Sequence, residues 1–107
     1  MAMGVLGPHV KILFTYDIIP QTAEDYYEFM LGEMVPAVER MGLTMAEAWH
    51  TAAGNYPLRL VAFVAEDLAA AESALDCDEF DVLEEQLMAY VSNYSRRVVP
   101  LRDHFQF

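Results

Sequence analysis

The sequence predicts an α+β fold in which a four-stranded antiparallel sheet carries two helices on one face. Two segments of helical periodicity alternate with four segments of strand character, in the order strand, helix, strand, strand, helix, strand. Residues 58–65 are apolar at every position except Arg59, which predicts a central strand covered on both faces. Gly54 and Pro57 bound the turn that joins this strand to the preceding one.

The first half of the chain predicts a strand followed by a long helix. In residues 9–19 one parity is apolar or aromatic and the other is mixed, so one face of this strand is predicted to be buried. Residues 23–41 have the apolar stripe of a helix, and Gly42 suits the C-terminal cap. Pro36 lies inside this helix, and because it lacks an N–H it predicts a bend near Gly32.

The second half completes the sheet. Residues 44–52 alternate as a strand nearer an edge, with small alanines on one parity. Residues 66–75 and 78–91 predict a second helix that aspartates split in two. Residues 94–101 predict the last strand, and Pro100 marks it as an edge. This order is that of the ferredoxin-like βαββαβ fold, with sheet order 4-1-3-2 and both helices on one face.

Length and composition predict one domain and exclude some partners. The chain has 107 residues, so residues 1–107 form a single domain, with a core over about residues 9–103. Its net charge of −11 disfavours nucleic acid and anionic membrane as partners. Cys77 is the single cysteine, and the chain contains neither a secretory signal nor an apolar run of about 20 residues. We therefore expect a cytoplasmic protein.

The sheet face away from the helices is predicted to hold an apolar patch that needs a cover. Its predicted members are Leu13, Trp49, Val61 and Phe63. A second copy of the same sheet is the simplest cover, which predicts a homodimer. Asp17 and Arg59 are predicted to lie on this face as an ion pair, either structural or catalytic. The tail residues Phe105 and Phe107 are predicted to wrap onto the partner.

Two local features carry a resemblance to a known family over roughly residues 9–103. One is MVPAVERMGLTMAEAWHT at residues 34–51, and the other is the aspartate-rich split helix before YSRRVVPL at residues 94–101. With the element order, they resemble the dimeric α+β barrel superfamily and, within it, most resemble the NIPSNAP-like branch. The resemblance implies two ferredoxin-like subunits whose sheets press together. Some members of the superfamily are cofactor-free monooxygenases, some degrade or hold haem, and many have no known activity.

His50 and Tyr16 are the predicted catalytic pair. Both lie near the C-terminal ends of their strands and share parity with the helix-covered face, so they are predicted to meet at one end of the sheet. Other tyrosines converge on this pocket, and the predicted substrate-binding residues are Tyr26, Tyr90 and Tyr94. The alternative is that His50 bonds only a backbone carbonyl and Tyr16 only a water, without a function.

Metal and cofactor sites have little support in the sequence. His9, His50 and His104 have no spacing typical of a metal site. The haem-degrading branch uses a helix-borne histidine with an asparagine and a tryptophan, whereas His50 lies on a strand beside Trp49 and points away from it. We therefore expect neither a metal nor a cofactor.

Two functions remain open at this stage. The first is a protein without turnover, either a binding protein that holds a small hydrophobic molecule in a pocket between the sheet and the helices or a dimeric scaffold. The second is a cofactor-free monooxygenase-like enzyme acting on an aromatic or quinone-like substrate, with His50 as the base and Tyr16 as the orienting donor. A cavity with His50 in its wall favours the enzyme, and a filled core favours a protein without turnover.

Overall fold

The structure is a computed structural model that describes residues 9–51 and 58–100. Its elements in chain order are β1 (Val10–Ile18), a 3₁₀ turn (Pro20–Thr22), α1 (Ala23–Phe29), a π-helical segment (Met30–Met34), α2 (Val35–Arg40), β2 (Thr44–Thr51), β3 (Leu58–Ala65), α3 (Leu68–Leu75), α4 (Asp78–Leu87) and β4 (Val91–Pro100). The turn predicted at residues 54–57 and the aromatic tail, Phe105 and Phe107, lie outside the described residues.

The strands of the described chain form one antiparallel sheet in the order β2-β3-β1-β4. This is the predicted order 4-1-3-2 read from the other edge, so the predicted ferredoxin-like α+β fold is confirmed. β1 and β3 are the central pair. Val61 and Phe63 of β3 are each at most 1% exposed, so one face of this strand is buried. On its other face Leu60 and Val64 are only half-buried, so the covering of both faces stays a prediction.

The long helix predicted over residues 23–41 consists of α1, the π-helical segment and α2. The N–H of Val35 donates to the carbonyl of Met30, five residues back. Pro36 follows directly and cannot donate, so the distortion predicted from the proline is a π-helical turn that spans Gly32. Gly42 has a φ of 99°, a left-handed conformation that glycine adopts without strain, and it ends the helix as predicted.

The hydrophobic core lies between the helices and one face of the sheet. On the sheet side, the ring of Phe14 lies 5.9 Å from that of Phe63 and 6.1 Å from that of Phe80 on α4. The helices add the buried side chains of Tyr26, Met34, Val38, Leu83 and Leu87. Full burial of each large apolar side chain contributes about 1.5–3 kcal/mol, so this layer holds the helices to the sheet.

The structure corrects the predicted direction of the β3 side chains. Val61 pairs with Phe14 and Phe63 pairs with Ile12 across the β1–β3 ladder. Directly paired residues point to the same face, so Val61 and Phe63 belong to the core and not to the open sheet face. Their assignment to an intersubunit patch is wrong. β3 is apolar on both parities, so its pattern alone could not identify the helix-facing set.

The open sheet face, defined here as the face opposite the helices, carries a different apolar set. β1 and β2 contribute Leu13 and Trp49 as predicted, and β3 contributes Leu60, Ala62 and Val64. Trp49 is 60% exposed, far more than a large aromatic side chain usually is. This face is therefore partly apolar in the single chain.

Asp17 and Arg59 do not form the predicted ion pair, because they lie on opposite faces of the sheet. Arg59 is paired with Tyr16 and so faces the helices, whereas Asp17 is the next residue along β1 and faces away. The carboxylate of Asp17 instead accepts a 2.7 Å hydrogen bond from the side-chain amide of Asn93. Asn93 has a φ of 56° where the β1–β4 register shifts, which is the geometry of a β-bulge.

The second helix is split as predicted, into α3 and α4. Asp67 precedes α3, and its carboxylate accepts a 2.8 Å hydrogen bond from the backbone N–H of Ala70. This contact satisfies one of the free N–H groups of the first helical turn, and the negative charge also suits the helix dipole there. Of the helices in the described ranges, none is long and apolar enough to cross a membrane.

We expect Asp67→Ala to lower the free energy of unfolding by about 1 kcal/mol, because the capping hydrogen bond is lost. Asp76→Ala is the matched control, since it removes the same charge from the C-terminal end of α3, where a carboxylate opposes the helix dipole. Urea unfolding at a fixed protein concentration measures both. Equal losses in the two variants would contradict the assignment of Asp67 as the cap.

Candidate functional site

Three residues from neighbouring strands form a row on the helix-facing side of the sheet. His50 of β2 pairs with Arg59 of β3, and Arg59 pairs in turn with Tyr16 of β1. Paired residues point to the same face, so the prediction that His50 and Tyr16 share the helix side is confirmed. Adjacent strands lie about 4.8 Å apart, so His50 and Tyr16 are separated by about 10 Å with Arg59 between them.

Tyr16 is bound to Tyr26 and not to His50. The two hydroxyl groups lie 2.5 Å apart, and both side chains are 0% exposed. Their rings pack edge to face with centroids 5.7 Å apart. Burial of a hydroxyl group is costly unless it is hydrogen-bonded, and here one hydroxyl donates to the other. The structure therefore brings Tyr26 to Tyr16 as predicted, and joins α1 to the centre of the sheet.

Arg59 lies beside this tyrosine pair and under α1. Its guanidinium carbon lies 5.8 Å from the centre of the Tyr27 ring, a cation–π distance. The Tyr27 ring in turn packs edge to face on Tyr26, with centroids 4.9 Å apart. We call Tyr16, Tyr26, Tyr27 and Arg59 the tyrosine–arginine cluster. Tyr27 is 39% exposed, so the cluster reaches the surface at this ring.

The electrostatics of the cluster keep its buried phenols neutral. Burial raises the pKa of Tyr16, and the neighbouring Tyr26 raises it further. Burial likewise raises the pKa of Tyr26. The positive charge of Arg59 opposes both increases without cancelling them. Neither phenol is therefore a phenolate near neutral pH, and each can act only as a hydrogen-bonding group.

His50 occupies the outer end of the row and is exposed. The prediction placed it under the helices, but β2 is an edge strand of the sheet and the helices leave this end of it uncovered. The neighbouring polar side chain across the ladder is Arg59, not Tyr16. Tyr16 therefore does not orient His50 by a direct contact. A catalytic role for His50 stays a prediction.

The other predicted substrate-binding tyrosines have separate surroundings. The ring of Tyr94 stacks 6.4 Å from that of Tyr16, but its hydroxyl donates a 2.6 Å hydrogen bond to the carboxylate of Glu84. Burial, reinforced by Glu84, raises the pKa of Tyr94. Tyr90 packs on Phe29, with centroids 5.7 Å apart. The structure thus brings the ring of Tyr94 into contact with the cluster, whereas the ring of Tyr90 does not contact the cluster. Substrate binding by any of these tyrosines remains a prediction.

Arg59 and Tyr27 are the residues that sequence reasoning placed elsewhere or missed. Arg59 was assigned to the open sheet face because β3 offers no alternation that sets its parity. Tyr27 adjoins Tyr26 in the sequence but lies off the predicted apolar stripe of the helix. The sequence did mark Arg59 as unusual, because it is the one charged residue of β3 and a charged residue is rare in a covered strand.

Within residues 9–51 and 58–100, no three His, Cys, Asp or Glu side chains are grouped so that they could hold a metal ion. The donors of the cluster are phenols and a guanidinium, and the neighbouring His50 adds one exposed imidazole. A neutral phenol and a cationic guanidinium are both poor metal ligands. The chemistry of this site is therefore hydrogen bonding, cation binding to aromatic faces and charge stabilisation.

Comparison with known proteins supports the fold and leaves the activity open. No protein-family model and no curated protein matches the chain. Among solved structures, a NIPSNAP family protein from Agrobacterium tumefaciens is 12% identical with a TM-score of 0.70, covering 91% of this chain and 95% of that chain. An uncharacterised NIPSNAP domain protein from Burkholderia xenovorans is 11% identical with a TM-score of 0.67, covering 90% and 96%.

A third similar structure belongs to a protein with a stated activity. SnoaB, a cofactor-independent oxygenase from Streptomyces nogalater, is 12% identical with a TM-score of 0.64, covering 94% of this chain and all of that chain, 100%. At such identities the comparisons establish a shared fold. The predicted resemblance to NIPSNAP-like proteins is confirmed at the level of the fold, which these proteins share with an oxygenase.

We expect Tyr16→Phe and Tyr26→Phe each to lower the free energy of unfolding by about 1–3 kcal/mol, because either change leaves one buried hydroxyl without its partner. The double variant should lose less than the sum of the two, since removing both hydroxyls leaves none unpaired. Urea unfolding of the four proteins measures this cycle. Tyr27→Phe, at an exposed hydroxyl, is the control and should change stability by less than about 0.5 kcal/mol. Additive losses in the double variant would contradict a direct hydroxyl contact.

Proposed function

We propose that the protein binds a small hydrophobic molecule at the end of the sheet where the tyrosine–arginine cluster reaches the surface. The observation that carries this proposal is that Arg59 joins two partly exposed neighbours: its guanidinium lies 5.8 Å from the centre of the Tyr27 ring, and it pairs with His50 across the β2–β3 ladder. A few polar groups among aromatic side chains are typical of small-molecule sites. Tyr16 and Tyr26 close the inner end of this site, so a ligand contacts mainly the outer groups.

The geometry favours binding over turnover. An acid–base enzyme needs groups within hydrogen-bond reach of one another or of a shared substrate proton. Tyr16 and Tyr26 are hydrogen-bonded to each other, and burial raises the pKa of both. His50 is then the remaining candidate base of the row. One exposed imidazole provides fewer catalytic groups than such a reaction usually uses.

A cofactor-free monooxygenase-like enzyme is the second candidate. Two observations favour it: the fold is shared with SnoaB, a cofactor-independent oxygenase, and His50 is exposed and able to reach a substrate. In this candidate His50 would accept a proton from an aromatic or quinone-like substrate, and molecular oxygen would be the co-reactant. Oxygen consumption in the presence of such a substrate, lost in His50→Ala, would favour the enzyme.

We expect the neutral fluorescent probe N-phenyl-1-naphthylamine to bind the protein with an increase in emission. Tyr27→Ala and His50→Ala should each weaken its binding several-fold, because both remove surface from the proposed site. Gln86→Ala, at an exposed position of α4, is the control and should not change the affinity. Unchanged binding in both site variants would overturn the proposed site.

We also propose that two copies of the chain associate through their open sheet faces. Leu13, Leu60 and Trp49 lie on this face in adjoining strands, and Trp49 is 60% exposed. Single-chain proteins rarely leave a contiguous apolar patch of more than a few hundred Å² uncovered. A twofold contact between identical faces would cover the patch, and obligate interfaces typically bury about 2,000 Å² or more.

We expect light scattering to give twice the chain mass for the parent protein across a dilution series. Trp49→Glu should dissociate or unfold the dimer, because a carboxylate would enter an apolar contact. Leu31→Glu is the matched control: it makes the same change of charge at a side chain that is 73% exposed on the helical layer. A parent protein that remains monomeric at high micromolar concentration would overturn the proposed dimer.

A further inference from the structure

We infer that the ligand of this site is an amphipathic organic anion, whose carboxylate- or sulfonate-like group is received by Arg59 and whose apolar body rests on Tyr27. The inference depends on the proposed binding function and adds a chemical class to it. It rests on the surroundings of Arg59, on the contrast with the other cations of the chain, and on the charge balance of the whole sequence.

Arg59 has an unsatisfied donor in a covered position. Its Nε is buried and has no hydrogen-bond partner among the described residues. No carboxylate of those residues lies within ion-pair distance of its guanidinium. The adjoining residues 52–57, Ala-Ala-Gly-Asn-Tyr-Pro, contain no acidic side chain that could serve as a partner. A buried donor without an acceptor among the described residues is costly, so the arrangement is suited to binding an acceptor group of a ligand.

Arg96 shows how this chain satisfies an arginine when its role is structural. Arg96 also faces the helices, and its guanidinium lies 5.5 Å from the Phe80 ring, much as Arg59 lies over Tyr27. Unlike Arg59, however, Arg96 donates a 2.8 Å hydrogen bond to the carboxylate of Glu84. A carboxylate thus completes the Arg96 site, whereas none among the described residues lies within ion-pair distance of Arg59.

The composition makes that difference informative. The chain has 17 acidic residues and 6 lysines and arginines, so carboxylates are abundant. Lys11, Arg40 and Arg96 each lie beside a glutamate. In so acidic a chain, a partly buried arginine without a described carboxylate partner is the exception. It forms a local positive site in a chain whose net charge is −11.

The neighbours of Arg59 do not compensate its charge. Tyr16 and Tyr26 stay neutral, because burial raises the pKa of both phenols. The aromatic face of Tyr27 stabilises a cation only modestly and remains partly exposed for an apolar group. A planar guanidinium binds carboxylate and sulfonate oxygens through charge-assisted hydrogen bonds, which are stronger than those between neutral groups. An anion with an aromatic or aliphatic body would therefore satisfy the site.

Two fluorescent probes that differ by one anionic group test this inference. N-phenyl-1-naphthylamine is neutral, and 8-anilinonaphthalene-1-sulfonate is the same molecule with a sulfonate. We expect Arg59→Gln to weaken binding of the sulfonate probe about tenfold or more, the loss typical of a charge-assisted hydrogen bond. Binding of the neutral probe should change by less than about twofold, since its contacts do not need the charge.

Arg40→Gln is the matched control. Arg40 is 68% exposed at the C-terminal end of α2, so its loss changes the net charge equally without touching the site or the open sheet face. It should leave the affinity for both probes unchanged. Arg59→Lys keeps the charge and loses the planar fork, so it should weaken the sulfonate probe several-fold. It serves as the second test if thermal unfolding shows that Arg59→Gln does not fold.

The outcomes separate the inference from the function beneath it. If the parent binds both probes and neither Arg59 variant weakens the sulfonate probe, the anion site is overturned while binding of a hydrophobic molecule stands. An equal loss in Arg40→Gln would also overturn it, since the effect would then be a long-range change of charge. If the parent binds neither probe, the proposed binding function fails, and the inference fails with it.

Discussion

The register between β1 and β3 is the constraint on which the rest of the molecule depends. It places Phe14 opposite Val61 and Ile12 opposite Phe63, so these four side chains form the sheet side of the core. A shift of one residue would turn the same set towards the open face and expose it. The register also brings Arg59 opposite Tyr16, and so determines where the one charge of β3 lies. The same strand pairing therefore positions both the core and the candidate site.

The side chains of the tyrosine–arginine cluster come from α1 and from the two central strands, β1 and β3. α1 begins just after the end of β1 and carries adjacent tyrosines, one directed into the core and one towards the surface. The inner tyrosine closes a hydrogen bond with β1, and the outer one presents its ring to Arg59. Rigid elements thus hold the guanidinium in place, which suits recognition better than a mobile loop would. Asp17 lies on the other face of the sheet, where Asn93 at the bulge in β4 donates a hydrogen bond to its carboxylate.

The element order and sheet order could be predicted because several local signals agree. β1 alternates with period two, Gly42 and Pro36 mark one helix, and aspartates split the next, so strand and helix periodicities could be told apart. The face of each β3 residue could not be predicted, since a strand apolar on both parities fits either direction equally well. Pairing with β1 decides it, and pairing is a contact between distant segments that no local pattern encodes.

The candidate site, like the fold, could be predicted only where local sequence patterns determine the direction of a side chain. His50 and Tyr16 were placed on the helix side correctly, because β1 and the end of β2 have readable parity. The contact between Tyr16 and Tyr26 depends on how α1 packs on the sheet. Because the Tyr16 hydroxyl is bound to Tyr26 in the core, it does not orient His50. Arg59 was assigned to the wrong face with the rest of β3. The residue that distinguishes this site was therefore the one whose orientation depends entirely on tertiary pairing.

The buried tyrosines also couple the fold to protons at high pH. Tyr16, Tyr26 and Tyr94 hold their protons more tightly in the folded chain than in the unfolded one, because burial raises the pKa of each. Their contribution to stability is complete below the ordinary phenol pKa of about 10 and declines as the pH rises above it, since the unfolded chain then releases protons first. Each such tyrosine adds a slope of about 1.4 kcal/mol per pH unit in that range. The stability of this protein at alkaline pH is thus limited by the buried tyrosines that stay protonated in the folded chain.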